Sequence, residues 1–272
     1  MKYEPSLPQH NDNVSDEHPL KDFVVILGVV AAISALVFWL LGLAVDVMVD
    51  RMSAETEARL YSMMPAPQDA DKDEALPEAR LQAMIDGMRS CAGLRLPARV
   101  MLAKSKTPNA AVMPGGQIVV FSGLVDHVKS DNGLSFVLAH ELAHITNRDH
   151  LRAMGRGIVL FGISALLTGS DSGLSELLAP VHHLGAAKYS RSREEAADAA
   201  ALRTLNCRYG HVGGATEFFE DMKDEDAAED SLSHYVASHP AMGARIETLN
   251  AAARSAGYKT GAVAPLSIPP LN

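Results

Sequence analysis

The stretch His140-Glu141-Leu142-Ala143-His144 sets two imidazoles four residues apart with a carboxylate between them. On a helix, residues at that spacing lie one above the other on the same face. Both histidines then reach one metal ion, and Glu141 stands beside them, placed to hold a water and take its proton. This is the chemistry of a zinc-dependent hydrolase. It requires a helix under the motif, a third ligand and a place for substrate.

Zinc in a hydrolase keeps about three protein ligands and one open position. Two candidates compete for the third place. His140-Glu141-x-x-His144-x-x-Asn147-x-x-His150 has the metzincin spacing, with Asn147 where glycine is usual. Asparagine tolerates the left-handed backbone better than most residues. If the helix runs on instead, His150 points to a different face. The rival is an acid from a later helix, in Ser190-Arg191-Ser192-Arg193-Glu194-Glu195-Ala196-Ala197-Asp198. Glu194 and Asp198 are four apart on one face, and Glu195, three from Asp198, is nearly as good geometrically. His182 and His183 have no partner at ligand spacing and read as structural or surface residues.

The positioning elements follow from periodicity and punctuation. Leu134, Leu138, Leu142 and Ile145 form an apolar stripe under the motif, and Ser130-Asp131-Asn132-Gly133 ahead of it supplies N-cap residues. The stripe predicts a helix that is apolar on one side and carries the ligands on another. Arg99 to Ala103 reads as a short strand. Pro108 to Met113 is extended, and Gln117 to Phe121 is the best strand in the chain. The last two flank Pro114-Gly115-Gly116 and should pair as a hairpin. Glu78 to Met88, Leu124 to Val128, Ile158 to Thr168, Leu174 to Leu184, Tyr189 to Leu205, Gly213 to Asp224 and Pro240 to Ala252 read as helical. The fold class is therefore α+β: mostly helical, with a small sheet or hairpin.

The segment Phe23 to Val45 carries no charge. At about 1.5 Å per residue it spans on the order of 35 Å, enough for the hydrocarbon layer. It reads as one transmembrane helix after a disordered polar tail, residues 1–22. Residues 46–80 read as a juxtamembrane stem and linker, 81–255 as the catalytic domain, and 256–272 as a flexible tail. Lys2, Lys21, Arg51 and Arg59 fall on both sides of the span and give the positive-inside rule nothing to act on. The 272 residues are 47% hydrophobic, which allows a substantial core, and the net charge of −9 argues against a nucleic-acid partner. Cys91 and Cys207 are not in C-x-x-C spacing, so they form no zinc knuckle; they suit either a disulfide or two buried thiols.

Several stretches in order resemble the HtpX-like, CAAX-prenyl-endopeptidase type of membrane-associated zinc metallopeptidases. Pro108-Asn109-Ala110 with Pro114-Gly115-Gly116-Gln117-Ile118 looks like the strand before the active site. His140 to His144 looks like the zinc helix, Ser190-Arg191-x-x-Glu194-x-x-x-Asp198 like the third-ligand helix, and Ser238-His239-Pro240 with Arg245-Ile246 like the closing motif. The resemblance covers roughly Leu81 to Leu249. It implies a zincin-like metallopeptidase domain with one Zn²⁺ per chain on His140, His144 and Glu194, Glu141 as catalytic base and Asp198 hydrogen-bonded to a ligating imidazole. His150 stays the alternative ligand. His239 would stabilise the oxyanion or gate the metal. Asn109, Ala110, Ala111 and Val112 would pair with an extended polypeptide substrate.

This chain shows one convincing span where the prenyl endopeptidases have several, so the prenyl-protein substrate does not carry over. The expectation is a single-pass protease acting on unfolded or membrane-associated polypeptides at the lipid bilayer, in quality control at the cell envelope. Its catalytic domain would be extracytoplasmic or periplasmic, the cytoplasmic face being the alternative. A chaperone or assembly factor that holds clients in the same groove is the competing class.

Overall fold

The computed structural model describes residues 19–62, 75–113, 115–168, 190–224, 242–269 and 271. Helix α1, Pro19–Arg51, contains the uncharged run, and Phe23, Ile26, Ile33 and Trp39 along it are exposed. It is long and apolar enough to cross a membrane. The chain divides into two compact units, Met1–Ala44 and Val45–Asn272. In the second, α2 (Ala54–Ser62) and α3 (Ala75–Met88) precede strands β1 (Arg99–Ala103), β2 (Ala110–Met113) and β3 (Gln117–Phe121). Then come α4 (Ser122–His127), α5 (Asp131–Thr146), α6 (Asp149–Thr168), α7 (Arg191–Tyr209), α8 (Glu217–Asp224) and α9 (Met242–Ser255).

The sheet has the order β1-β3-β2. The predicted hairpin is present: β2 runs antiparallel to β3, with Ala110 opposite Val120 and Met113 opposite Gln117. β1 joins the other side of β3 in parallel, Arg99 opposite Gln117. Val100, Leu102, Ile118 and Val120 alternate toward the core, the period of two expected of a half-buried strand. They meet Leu81, Ile85 and Met88 of α3, together with Leu138 and Leu142 of α5 and Leu205 of α7.

α5 departs from the one-sided helix read from its stripe. Every residue from Asn132 to Ile145 is buried. The stripe marks one packed face, and the other faces are covered by elements distant in sequence, α7 above all. Its N-terminus is held by specific contacts. Ser130 caps it by accepting from the Gly133 amide at 2.9 Å. Glu217 accepts from the Ser130 amide at 2.9 Å and from its hydroxyl at 2.6 Å, and its negative charge suits a helix N-terminus. Gly133 leaves room for this contact, since a Cβ would lie 2.5 Å from Glu217 Oε1 and push the carboxylate aside.

Two stretches read as lying outside the catalytic domain are packed. In the predicted stem, Val49 and Glu57 are buried. Past Ser255, where the sequence predicts a flexible tail, Pro265 forms a β-bridge with Ser130, Ala264 N donates to Asn132 Oδ1 at 2.9 Å, and Ile268 is buried. Each is held by partners far away in the chain: Arg148 and Arg152 bind the stem, and the residues after Ser255 join the core through Ile268 and Leu266. Residues 169–189 and 225–241 lie outside the described residues, and with them the helix expected at Leu174 to Leu184.

Cys91, in the turn after α3, and Cys207, in the last turn of α7, form a disulfide across 116 residues. Closing a loop of this size restricts the unfolded chain and stabilises the fold by about 2–5 kcal/mol. Replacing both cysteines by serine should lower the denaturation midpoint by that equivalent, and reductant should then have no further effect. Chemical unfolding of the detergent-solubilised chain, with and without reductant, measures this.

Candidate metal centre

α5 and α7 pack along one another and carry the site. His140, His144 and Glu194 come together, each offering a donor atom within 4.8 Å of the others, and all are buried. His140 Nε2 and His144 Nε2 are 3.0 Å apart. Glu194 places Oε2 at 3.5 Å from the first and Oε1 at 3.4 Å from the second. Donors about 2.0–2.2 Å from a tetrahedral zinc ion sit about 3.3 Å from each other. The triangle therefore has the size of three corners of such a tetrahedron.

The outer nitrogens are held by carboxylates. His140 Nδ1 lies 3.0 Å from Asp198 Oδ1, and His144 Nδ1 lies 3.0 Å from Asp149 Oδ2. With both Nδ1–H groups donating outward, both Nε2 lone pairs face the common point. Asp198 is braced by Arg245, which donates through Nε at 2.9 Å and through a second nitrogen to the other oxygen. The guanidinium stacks over the Phe219 ring, 4.6 Å from its centroid.

The charge balance points the same way. The buried carboxylates of Glu141, Asp149, Glu194 and Asp198 gather around the site, and Arg245 and Arg193 pair with them. That leaves an excess of negative charge of the size a divalent cation neutralises. Burial and the Arg245 charge push the His140 imidazole down, but hydrogen bonds with Asp198 and Glu194 and the Glu194 charge outweigh them and raise it to about 9. For His144 too, burial acts downward and hydrogen bonds with Asp149 and Glu194 prevail, so its pKa is raised. The donor set fits zinc: two imidazoles and a carboxylate, each already oriented.

Glu141, which follows His140 on α5, is buried, and its charge acts on His144. Glu195 is exposed, one residue beyond Glu194 and around the helix from it. His150 is not in the metal cluster. The chain leaves α5 at Asn147, which keeps a right-handed conformation (φ −80°). The left-handed residue is Arg148 (φ 55°), one position later than the metzincin spacing suggests. α6 then begins at Asp149 and carries His150 away. His150 is buried, and burial depresses its pKa to about 4. Asn109, Ala110, Ala111 and Val112 lie at the start of β2 and along it, and β2 packs on α5. His239 lies outside the described residues.

Sequence reasoning missed the roles of Asp149 and Arg245. Asp149 sits five residues after His144, a spacing with no helical meaning until the left-handed Arg148 turns the chain. Arg245 was visible only as part of a motif.

A model of peptidase family M48 matches residues 75–253. The chain belongs to peptidase family M48. Among relatives, mitochondrial metalloendopeptidase OMA1 of Schizosaccharomyces pombe is 32% identical over 155 residues, 54% of this chain and 44% of the relative. The putative beta-barrel assembly-enhancing protease of Vibrio cholerae is 26% identical over 160 residues, 54% of this chain and 33% of the relative. Human metalloendopeptidase OMA1, mitochondrial, is 26% identical over 156 residues, 52% of this chain and 30% of its own length. The chain thus spans less than half of each of these relatives. The M48 match covers α3 through most of α9, and hence every residue of the metal cluster.

Glu194→Ala should abolish stoichiometric metal binding, and His150→Ala should leave it intact; metal analysis of the purified variants checks both. His150 also carries a pH signature. Its folded pKa lies below the ordinary 6.5, so its neutral form contributes stability fully above that value, and this is lost as pH falls toward about 4. In metal-stripped protein, His150→Gln should flatten the fall in melting temperature over that window relative to wild type.

Proposed function

We propose that this protein is a membrane-anchored, zinc-dependent endopeptidase that cleaves extended or unfolded polypeptides. The observation that carries the reading is the buried triangle of His140, His144 and Glu194, with the buried Glu141 following His140 on α5. One zinc ion per chain would be held by these three residues. When bound, it supplies Lewis acidity and a water of lowered pKa.

The chain's own residues do the rest. Glu141 takes a proton from the attacking water and returns it to the leaving amine. Burial keeps that carboxylate away from competing solvent. Asp198 and Asp149 hold the two imidazoles in one tautomer and one orientation, so no reorganisation is needed as the reaction proceeds. Arg245 keeps Asp198 in place.

β2 is an edge strand among the described residues, paired with β3 alone. It supports a substrate that adds as a further strand. Ala110, Ala111 and Val112 are buried in the free chain, so such pairing requires this edge to be uncovered, and it would then use main-chain hydrogen bonds. Main-chain pairing reads extension rather than sequence, which suits unfolded clients. The relatives' names, metalloendopeptidase and assembly-enhancing protease, support peptidase activity, and quality control at the cell envelope is the setting we propose for it. α1 serves as the anchor. The Cys91–Cys207 disulfide supports an oxidising, extracytoplasmic location for the peptidase domain.

Glu141→Gln should keep the metal and lose about 10²- to 10⁴-fold of the cleavage rate on casein, an unfolded substrate. A compact folded protein should resist the wild type. Undiminished cleavage by the Glu141→Gln variant would overturn the assignment of the base.

A further inference from the structure

The segment just past the uncharged run is tied to the metal site by a chain of charge contacts. Asp149 holds His144 Nδ1 with one oxygen, at 3.0 Å. Its other oxygen lies 3.2 Å from Arg193. Arg193 directly precedes Glu194 and extends its second nitrogen to Asp46 at 3.3 Å. Asp46 is also engaged by Arg156, at 2.8 Å, and by Arg152, at 3.4 Å.

A second strand of contacts converges on the same place. Arg148, the left-handed residue before Asp149, donates to the carbonyls of Val49 and Met52 at 3.0 and 2.9 Å. Both lie at the end of α1, where carbonyls run out of helical partners, although the Val49 carbonyl also accepts from the Met52 amide at 3.3 Å. The Arg148 Nε also pairs with the fully buried Glu57 at 2.9 Å. The last turns of α1 and the start of α2 thus fix the two residues that aim His144, one through its backbone and one through its carboxylate.

We propose that Arg193 and Asp46 are positioning residues of the metal site, acting on His144 through Asp149. This rests on the reading of His140, His144 and Glu194 as a zinc centre and adds to it a part outside the matched M48 segment, since Asp46 precedes residue 75. Arginine is suited to the position, because its planar fork bridges two carboxylates while lysine presents a single point charge. Loss of Asp46 leaves Arg193 free to turn away from Asp149. Loss of Asp149 removes the acceptor that fixes the His144 tautomer.

The test uses the full chain in detergent micelles and reads zinc affinity by chelator competition, beside the melting temperatures of loaded and stripped protein. Asp149→Asn should weaken zinc about 10- to 100-fold, the usual cost of losing a carboxylate behind a ligating histidine. Arg193→Ala should weaken it about 3- to 10-fold alone and less than about twofold in the Asp149→Asn background, because both act through one contact. Arg193→Lys should fall between Arg193→Ala and wild type. Asp46→Asn, which preserves shape and so guards against a misfolded Arg193 variant, should follow Arg193→Ala in direction. Zinc affinity unchanged in Arg193→Ala and Asp46→Asn, or effects of Arg193→Ala and Asp149→Asn that simply multiply, would overturn the proposal. So would equal melting losses in loaded and stripped protein with zinc affinity intact, the pattern of a purely structural role. A wild-type chain that binds no zinc would instead overturn the metal-centre reading itself.

Discussion

An ionised group taken out of water costs several kcal/mol unless opposite charge lies against it. α5 and α7 bury Glu141, Asp149, Glu194 and Asp198 around two imidazoles. Such a cluster is tolerable only if it is compensated, and each partner in this protein follows from that requirement. Arg245 reaches in from α9 to clamp Asp198, and Arg193 covers Asp149 from α7. What they leave uncompensated lies between His140, His144 and Glu194. The raised pKa of His140 has the same origin, the carboxylates of Asp198 and Glu194 set against its ring.

The rest of the fold keeps this arrangement rigid. α5 is buried all round, pinned at its N-terminus by Glu217 and the Ser130 cap and flanked by the residues that follow α9. The disulfide fastens the end of α7 to the turn after α3. A tripod with edges of 3.0 to 3.5 Å needs its two helices held to within a fraction of an ångström, and these fastenings act on those helices. The edge strand β2 packs on the same central helix. In the proposed reading, substrate and metal are therefore referred to one rigid element.

Much of the site was legible in the sequence because helical spacing is a strong local rule. His140 and His144 share a face at any helix geometry, and so do Glu194 and Asp198. The hairpin of β2 and β3 was legible for a similar reason, a β-branched run beside a Pro-Gly-Gly turn. Where local rules stopped, so did the reading. His150 completes a plausible ligand pattern, and only the turn at Arg148 takes it elsewhere. Asp149 acquires a partner through that same turn. The residues after Ser255 and those around Glu57 also pack, against partners that lie far along the chain.

The sequence by itself determined the two histidines with the acid between them, the acidic pair on a later helix, the apolar run at Phe23 to Val45 and the α+β class. Each depends on the 3.6-residue period, the two-residue period or bare length, and these are properties of neighbours in the chain. The tertiary structure decided the rest: that Glu194 closes the triangle while Glu195 faces outward, that Arg245 and Asp149 brace the two imidazoles, and that Asp46 reaches Arg193. These pairings join residues tens to more than a hundred positions apart, or turn on a single left-handed residue. Their geometry follows from how α5, α7 and α9 pack, and the packing of separate elements is not written in the period of any one of them.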